Sequence, residues 1–133
     1  VEALRTMHIN TINTLELSPV TAVQIDELLA ELAKLLEGIK YIGELTPRTK
    51  DALVSFGERM SVRIVAATLN KMGVPAQAFD SWTLGMRTTS EFGNAEVKEE
   101  TYANVKSITS KLDGLIVPVI TGFIGKDDQG RIT

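Results

Sequence analysis

The chain has no cysteine and only one histidine. Without thiols, disulfide frameworks, thiolate nucleophiles and cysteine metal sites are excluded, and the redox compartment stays open. With His8 alone, a histidine-based triad or a multi-histidine metal centre has no second member, and a surface or helix-end histidine is the plain reading. An excess of positive charge is also lacking. Fourteen Lys and Arg stand against seventeen Asp and Glu, a formal net charge of −3, and no window is basic enough to track a phosphate backbone. Nucleic acid is therefore not an expected partner. Nothing approaches the ~20 apolar residues that cross a bilayer, and "VEALRTMHIN" lacks the basic, apolar and small-residue order of a secretory signal. The expectation is a soluble intracellular protein that engages no membrane.

What is present fits one globular domain, or a large piece of one: 133 residues, 44% hydrophobic and 23% charged, with no internal repeat or low-complexity linker. In "LSPVTAVQIDELLAELAKLLEGIK", Ser18 is a natural N-cap and Pro19 suits the first helical position. Ile25, Leu28, Leu29, Leu32, Leu35, Leu36 and Ile39 then recur every three or four residues, with Asp26, Glu27, Glu31, Lys34 and Glu37 opposite. That spacing predicts an amphipathic helix laid on a core. In "GELTPRTKDALVSFGE", Thr46 and Pro47 repeat the start signal, and a short helix is expected through Leu53 and Val54. Gly57, which weakens helix continuation by ~1 kcal/mol, then marks a junction at residues 55–58. A second helix follows through Met60, Ile64, Ala67 and Leu69, and Gly73 ends it as a left-handed cap.

Beyond it, Val74, Ala76, Ala78 and Phe79 read as a short extended segment, with Trp82 in a loop. "GMRTTSEFGNAEV" has the pattern of a small hairpin. "EETYANVKSITSKLDG" reads as a helix with Tyr102, Val105, Ile108 and Leu112 on one face and Asp113 and Gly114 at its end. "LIVPVITGFIG" is a continuous apolar run of the kind buried on both faces in a parallel sheet. Helix followed by buried strand, twice, predicts an α/β fold. "GFIGKDDQGRIT" reads as a final hairpin turning at residues 126–130, with so short a return arm that the chain is expected to be a fragment.

The residues alone offer few candidates for chemistry. Asp127 and Asp128 are adjacent carboxylates in a turn, where both are expected to face solvent, and a calcium loop needs more ligands at wider spacing. The spaced glycines of "GFIGKDDQG" match neither the Walker pattern nor the dinucleotide fingerprint. Glu58 stands out. An acidic residue in the first turn of a helix gains ~0.3 to 1 kcal/mol from the helix dipole with no ligand at all. A carboxylate beside free helix-start N–H groups also suits a zwitterion, pairing with an ammonium while the amides take a carboxylate. On spacing alone both readings stand.

The stretch "ELTPRTKDALVSFGERMSVRIVAATLNKMG" resembles the aspartokinase family, in particular its "TPR(T/S)(R/K)D.L.SFGE..S" segment. "GMRTTSEFGNAEV" and "VPVITGFIGKDDQGRIT" resemble two further segments of that family in the same order, so the similarity covers residues 45–133, and plant and archaeal single-activity forms are the most alike. The resemblance implies a three-layer α/β/α sandwich of the amino acid kinase (carbamate kinase-like) type, seen here as a fragment. It implies phosphoryl transfer from ATP, with Mg²⁺, to the side-chain carboxylate of L-aspartate, giving 4-phospho-L-aspartate, the first step toward lysine, threonine and methionine. Glu58 matches the family glutamate that binds aspartate through its α-ammonium, and Phe123 matches a residue lining the same pocket. Ser55, Gly57 and Gly122 follow as backbone contributors around them, with Gly57 letting the backbone approach the substrate.

The family's "K-F-G-G-T-S" segment would fall before Val1, its "T-L-G-R-G-G-S-D" segment would start just after Ile132, and its regulatory ACT domains would lie further on. Residues 1–133 are thus expected to be the central part of a catalytic domain, with no catalytic residue of their own, no assigned ATP or metal ligand, and no activity alone. A homo-oligomer is expected of the full-length enzyme, in the cytoplasm or, for a plant source, the plastid. Two other readings remain: another amino acid kinase, acting on glutamate, N-acetylglutamate or a nucleotide, and a noncatalytic α/β interaction module. The "SFGE" segment favours aspartate.

Overall fold

The computed structural model describes residues 1–112 and 114–133. Three helices form one layer: α1 (Glu2–Thr14), α2 (Pro19–Ile42) and α3 (Pro47–Lys71). Strand β1 (Ala76–Phe79), a 3₁₀ turn (Ser81–Leu84), α4 (Glu100–Thr109) and β2 (Val117–Ile120) follow. The two strands pair in parallel, Ala76 opposite Val117 and Phe79 opposite Ile120, so their carboxyl ends lie side by side. Helix α3 is central, lying against α2 on one side and against both strands on another. This is the predicted α/β arrangement.

Both predicted start signals are in place. The Ser18 hydroxyl accepts from the Val20 N–H at 3.3 Å and the Thr46 hydroxyl from the Thr49 N–H at 3.1 Å, each ahead of a proline in the first turn. Gly43 at φ 73° closes α2, and Gly73 at φ 83° follows α3, both in the left-handed region that glycine enters without a Cβ clash. The leucine stripe of α2 packs as its spacing predicts: Ile25, Leu28, Leu29 and Leu32 are buried together with Ile12, Leu17, Phe56 and Met60, and Leu35 and Leu36 flank them.

Several expectations need correction. Helix α1 is absent from the sequence reading because, of its 13 residues, only Ile12 is buried. The proposed junction at residues 55–58 does not exist, since α3 runs unbroken through Gly57. The ~1 kcal/mol that glycine costs in a helix is outweighed by burial of Phe56 and Met60 on either side of it, each worth ~1.5 to 3 kcal/mol. Helix α4 buries Thr101 fully and leaves Val105 and Ile108 of the expected face half-buried and Tyr102 exposed, its last residue is Thr109, and the expected stop at Asp113 lies outside the described residues. The apolar run at residues 115–125 contributes only a four-residue strand, with Leu115, Val117 and Ile120 exposed rather than covered on both faces.

The two hairpins reduce to single bridges. Thr88 pairs with Val97, and Lys126 pairs with Ile132 around the 127–130 turn. Asp127 does not face solvent as expected: it is 2% exposed, while Asp128 is exposed and paired with Lys98.

Leu29 is 0% exposed at the centre of the helical cluster. Leu29→Ala is expected to lower stability by ~2 to 5 kcal/mol through lost burial and a residual cavity. Tyr41→Ala, at a side chain 95% exposed, is expected to stay within ~0.5 kcal/mol of wild type. Urea denaturation of the two variants checks both.

Candidate functional site

In open α/β sheets the carboxyl ends of parallel strands are where ligands gather, because the loops there are free of the ladder and open to approach. Asp80 and Ser81 follow β1 directly, and Thr121, Gly122 and Phe123 follow β2 directly. These two segments meet each other and α3. The Ser81 N–H donates to the Thr121 hydroxyl at 2.8 Å, and the Ser81 hydroxyl donates to the Ile124 carbonyl at 2.5 Å.

Glu58 reaches across from α3. Its Oε2 accepts the Gly122 N–H at 3.0 Å, over a separation of 64 residues. Among the described residues Oε1 has no hydrogen-bond or ion-pair partner, so half of the carboxylate is available to a donor. The helix-start amides that the sequence reading placed beside it are not available, because residues 55–58 lie within α3 and their N–H groups belong to its ladder. The amide that does meet the carboxylate comes from the turn after β2.

The other candidate residues divide. Phe123 sits at φ 55°, a left-handed conformation that costs a non-glycine residue ~1 to 2 kcal/mol, and its ring is fully exposed. It borders a cavity of about 540 Å³ together with Asp51, Thr88, Asn94 and Thr133, and Glu58 is not among the residues lining it. Ser55 is buried and donates its hydroxyl back to the Ala52 carbonyl at 2.7 Å. Gly57 lies on another face of α3, lining a groove with Leu4, Met7, His8 and Phe56, and a Cβ there would meet nothing within 4 Å. A Cβ on Gly122 would stand 3.5 Å from Glu58 Oε2, an ordinary contact. The structure thus brings Glu58, Gly122 and, through chain continuity, Phe123 together, and leaves Gly57 apart.

A charged cluster beside Glu58 was not found from sequence. Asp80 pairs with Arg63 at 3.1 Å and with Arg59 at 3.4 Å, and Arg59 also reaches Glu31 at 3.1 Å. The Arg59 guanidinium lies 5.1 Å from the Phe56 ring centre and 5.8 Å from that of Trp82, whose ring also carries Lys126 Nζ at 4.5 Å. Although Arg59 Nε faces Asp80, its geometry is not that of a hydrogen bond, so the contact is electrostatic. One sequence signal was available: a polar Asp-Ser pair directly after a predicted strand, where strand ends gather function.

On the far side, Asp51 Oδ2 accepts the Gly93 N–H at 2.7 Å and pins the 91–95 loop to α3. The Thr88 and Thr133 hydroxyls are 2.5 Å apart, and a Cβ on Gly125 would fall 2.5 Å from the Thr88 methyl carbon. That approach requires glycine. Asp127 anchors the last turn, its Oδ1 accepting from the Gln129 and Arg131 N–H groups and its Oδ2 from Arg131 Nε at 2.7 Å and Nη2 at 2.6 Å.

As to a metal, no group of three or more His, Cys, Asp or Glu among the described residues could hold one. Nor is any helix among them long and apolar enough to cross a membrane.

The sequence profile of the amino acid kinase family matches residues 6–133. The chain is 41% identical to Aspartokinase 1, chloroplastic, of Arabidopsis thaliana, over 92% of the chain and 21% of that protein. It is 44% identical to Aspartokinase 3, chloroplastic, of the same plant, over 92% of the chain and 22% of that protein. Its fold matches that of E. coli aspartokinase III in complex with aspartate and ADP with a TM-score of 0.83 at 30% identity, over 99% of this chain and 29% of that one. The chain therefore spans about a fifth of the length of its curated relatives.

The Arg131 side chain holds the Asp127 carboxyl down from 3.8 to about 2, helped by the Arg131 and Gln129 N–H groups and Ser90, against burial that pushes it up. A depressed value means that the folded state binds this proton less tightly than the unfolded chain does. Its stabilisation is then fully present above pH ~4 and is lost as the pH falls toward 2. Asp127→Asn is expected to lower Tm at neutral pH and to flatten the fall of Tm between pH ~4 and ~2. Thermal melts across that range check it.

Proposed function

The chain belongs to the amino acid kinase family, and from that premise we propose that residues 1–133 are the central part of an aspartokinase catalytic domain. The complete enzyme would move the γ-phosphoryl group of ATP to the side-chain carboxylate of L-aspartate, giving 4-phospho-L-aspartate at the head of lysine, threonine and methionine synthesis. The observation that carries this reading is Glu58. It is a carboxylate fixed by one backbone N–H at the carboxyl ends of two parallel strands, with its second oxygen unpartnered among the described residues.

Glu58 binds the α-ammonium of aspartate through that second oxygen, a charge-assisted hydrogen bond about twice as strong as a neutral one. Gly122 holds the carboxylate in position through its N–H, and Phe123, turned outward at the same bend, lies over the bound amino acid. Ser55 and Gly57 contribute only as parts of α3: Ser55 by packing beneath Glu58's helix face, and Gly57 from a surface facing α1. Phosphoryl transfer rests on charge neutralisation and in-line alignment. In this proposal the groups that perform it, and the ligands of ATP and Mg²⁺, are supplied by the rest of the complete enzyme. ATP as donor is supported by the ADP and aspartate bound to the E. coli relative. The complete enzyme is proposed to be a homo-oligomer, in the plastid for a plant source, as the chloroplastic relatives support, and in the cytoplasm for a microbial one.

ADP release by the complete polypeptide with ATP and Mg²⁺ is expected with L-aspartate and not with L-glutamate or N-acetyl-L-glutamate. Turnover of either of the latter in place of aspartate would move the protein to another branch of the family. Glu58→Gln is expected to lower kcat/KM for aspartate by roughly 30-fold to several thousand-fold, corresponding to ~2 to 5 kcal/mol for a truncated charge pair. Unchanged kcat/KM would remove Glu58 from the substrate site.

A further inference from the structure

We propose that Ser81 is a positioning residue: a buried clamp that fixes the 121–124 turn so that the Gly122 N–H meets Glu58, and that thereby sets the affinity for the amino-acid substrate. This rests on the assignment of Glu58 above and goes beyond it to what holds Glu58's partner in place.

The turn cannot hold its own shape. Phe123 lies in the left-handed region, where a side chain is strained, and its fully exposed ring gains no burial to compensate. Gly122, next to it, imposes no conformation of its own. The shape must come from the two ends, and one residue touches both. Ser81 is 1% exposed; its N–H donates to the Thr121 hydroxyl and its hydroxyl to the Ile124 carbonyl. Thr121 and Ile124 are themselves buried, so neither bond is readily replaced by water.

Ser81 is in turn held on α3. Asp80, directly before it, is paired with Arg59 and Arg63, and the Thr121 N–H donates to the Phe79 carbonyl at 3.0 Å. The connections close a ring: α3 through Asp80 to Ser81, from Ser81 to both ends of the turn, and from Gly122 back to Glu58 on α3. Removing the Ser81 hydroxyl opens the ring at Ile124 while leaving Glu58 itself unchanged.

The test uses the complete polypeptide and two readouts, hydrogen exchange of the 121–125 segment and the separate KM values for aspartate and ATP. In Ser81→Ala the segment is expected to exchange roughly tenfold faster and the aspartate KM to rise by about tenfold, the scale of one buried hydrogen bond. The ATP KM and kcat are expected to stay within about twofold. Thr121→Val, which removes the acceptor at the other end of the turn at nearly constant volume, is expected to give the same split. Thr83→Ala serves as the control: it breaks an exposed hydroxyl bond to the Asp80 carbonyl in the same 3₁₀ turn and is expected to move neither readout. Wild-type exchange and KM values in both Ser81→Ala and Thr121→Val, or an equal rise in both KM values, would overturn the clamp. If the wild type turns over no aspartate, the proposed function fails, and the exchange of the 121–125 segment still decides whether Ser81 fixes the turn.

Discussion

One hydrogen bond, from the Gly122 N–H to Glu58 Oε2, joins elements 64 residues apart, and the proposed site depends on it. For it to form, α3 must be continuous through Gly57, β1 and β2 must end at the same level, and the turn after β2 must bend back over the helix. Each condition has a physical source. Continuity comes from Phe56 and Met60, whose burial against α2 outweighs the local weakness of glycine. The common level comes from a parallel register that sets Phe79 opposite Ile120. The bend comes from the strained Phe123 and the buried bonds at its ends.

Around this contact the charges are arranged in two ways. Glu58 retains an oxygen with no protein partner among the described residues, whereas the neighbouring carboxylate Asp80 is matched by two guanidinium groups, of which that of Arg59 lies over the Phe56 and Trp82 rings. A paired buried carboxylate is structural, because its charge is already neutralised. An unpaired one beside the end of a sheet is free to recognise a cation. In the proposed function this difference makes Glu58 the binding residue and Asp80 a scaffold residue, although both are acidic and both sit near the carboxyl ends of the strands.

Local chemistry was legible in the sequence, and pairing at a distance was not. Ser18 with Pro19, Thr46 with Pro47, and the leucine stripe of α2 all act within a turn or two of the chain, where spacing alone predicts the geometry. Glu58 stood out by position and gained a role from the family resemblance, yet the helix-start amides expected beside it to take a ligand's carboxylate are not exposed by an unbroken α3. Ser81 was missed because its two partners lie 40 and 43 residues on. Asp127 was read as solvated because only the folded turn shows Arg131 and two backbone N–H groups closing on it. Helix α1 escaped because its apolar residues divide, Ile12 and Ile9 packing in the core while Leu4 and Met7 are exposed, which leaves no clear stripe.

The central claim is that Glu58 recognises the positive end of an amino acid, and calorimetric titration of the complete polypeptide with L-aspartate and with succinate tests it most directly. Succinate keeps both carboxylates and lacks the α-ammonium, so the comparison isolates the one group assigned to Glu58. Aspartate is expected to bind roughly 30-fold or more tightly than succinate, the lower end of what a buried charge pair contributes. Equal affinities would contradict the account, leaving Glu58 a purely structural acceptor for the Gly122 amide.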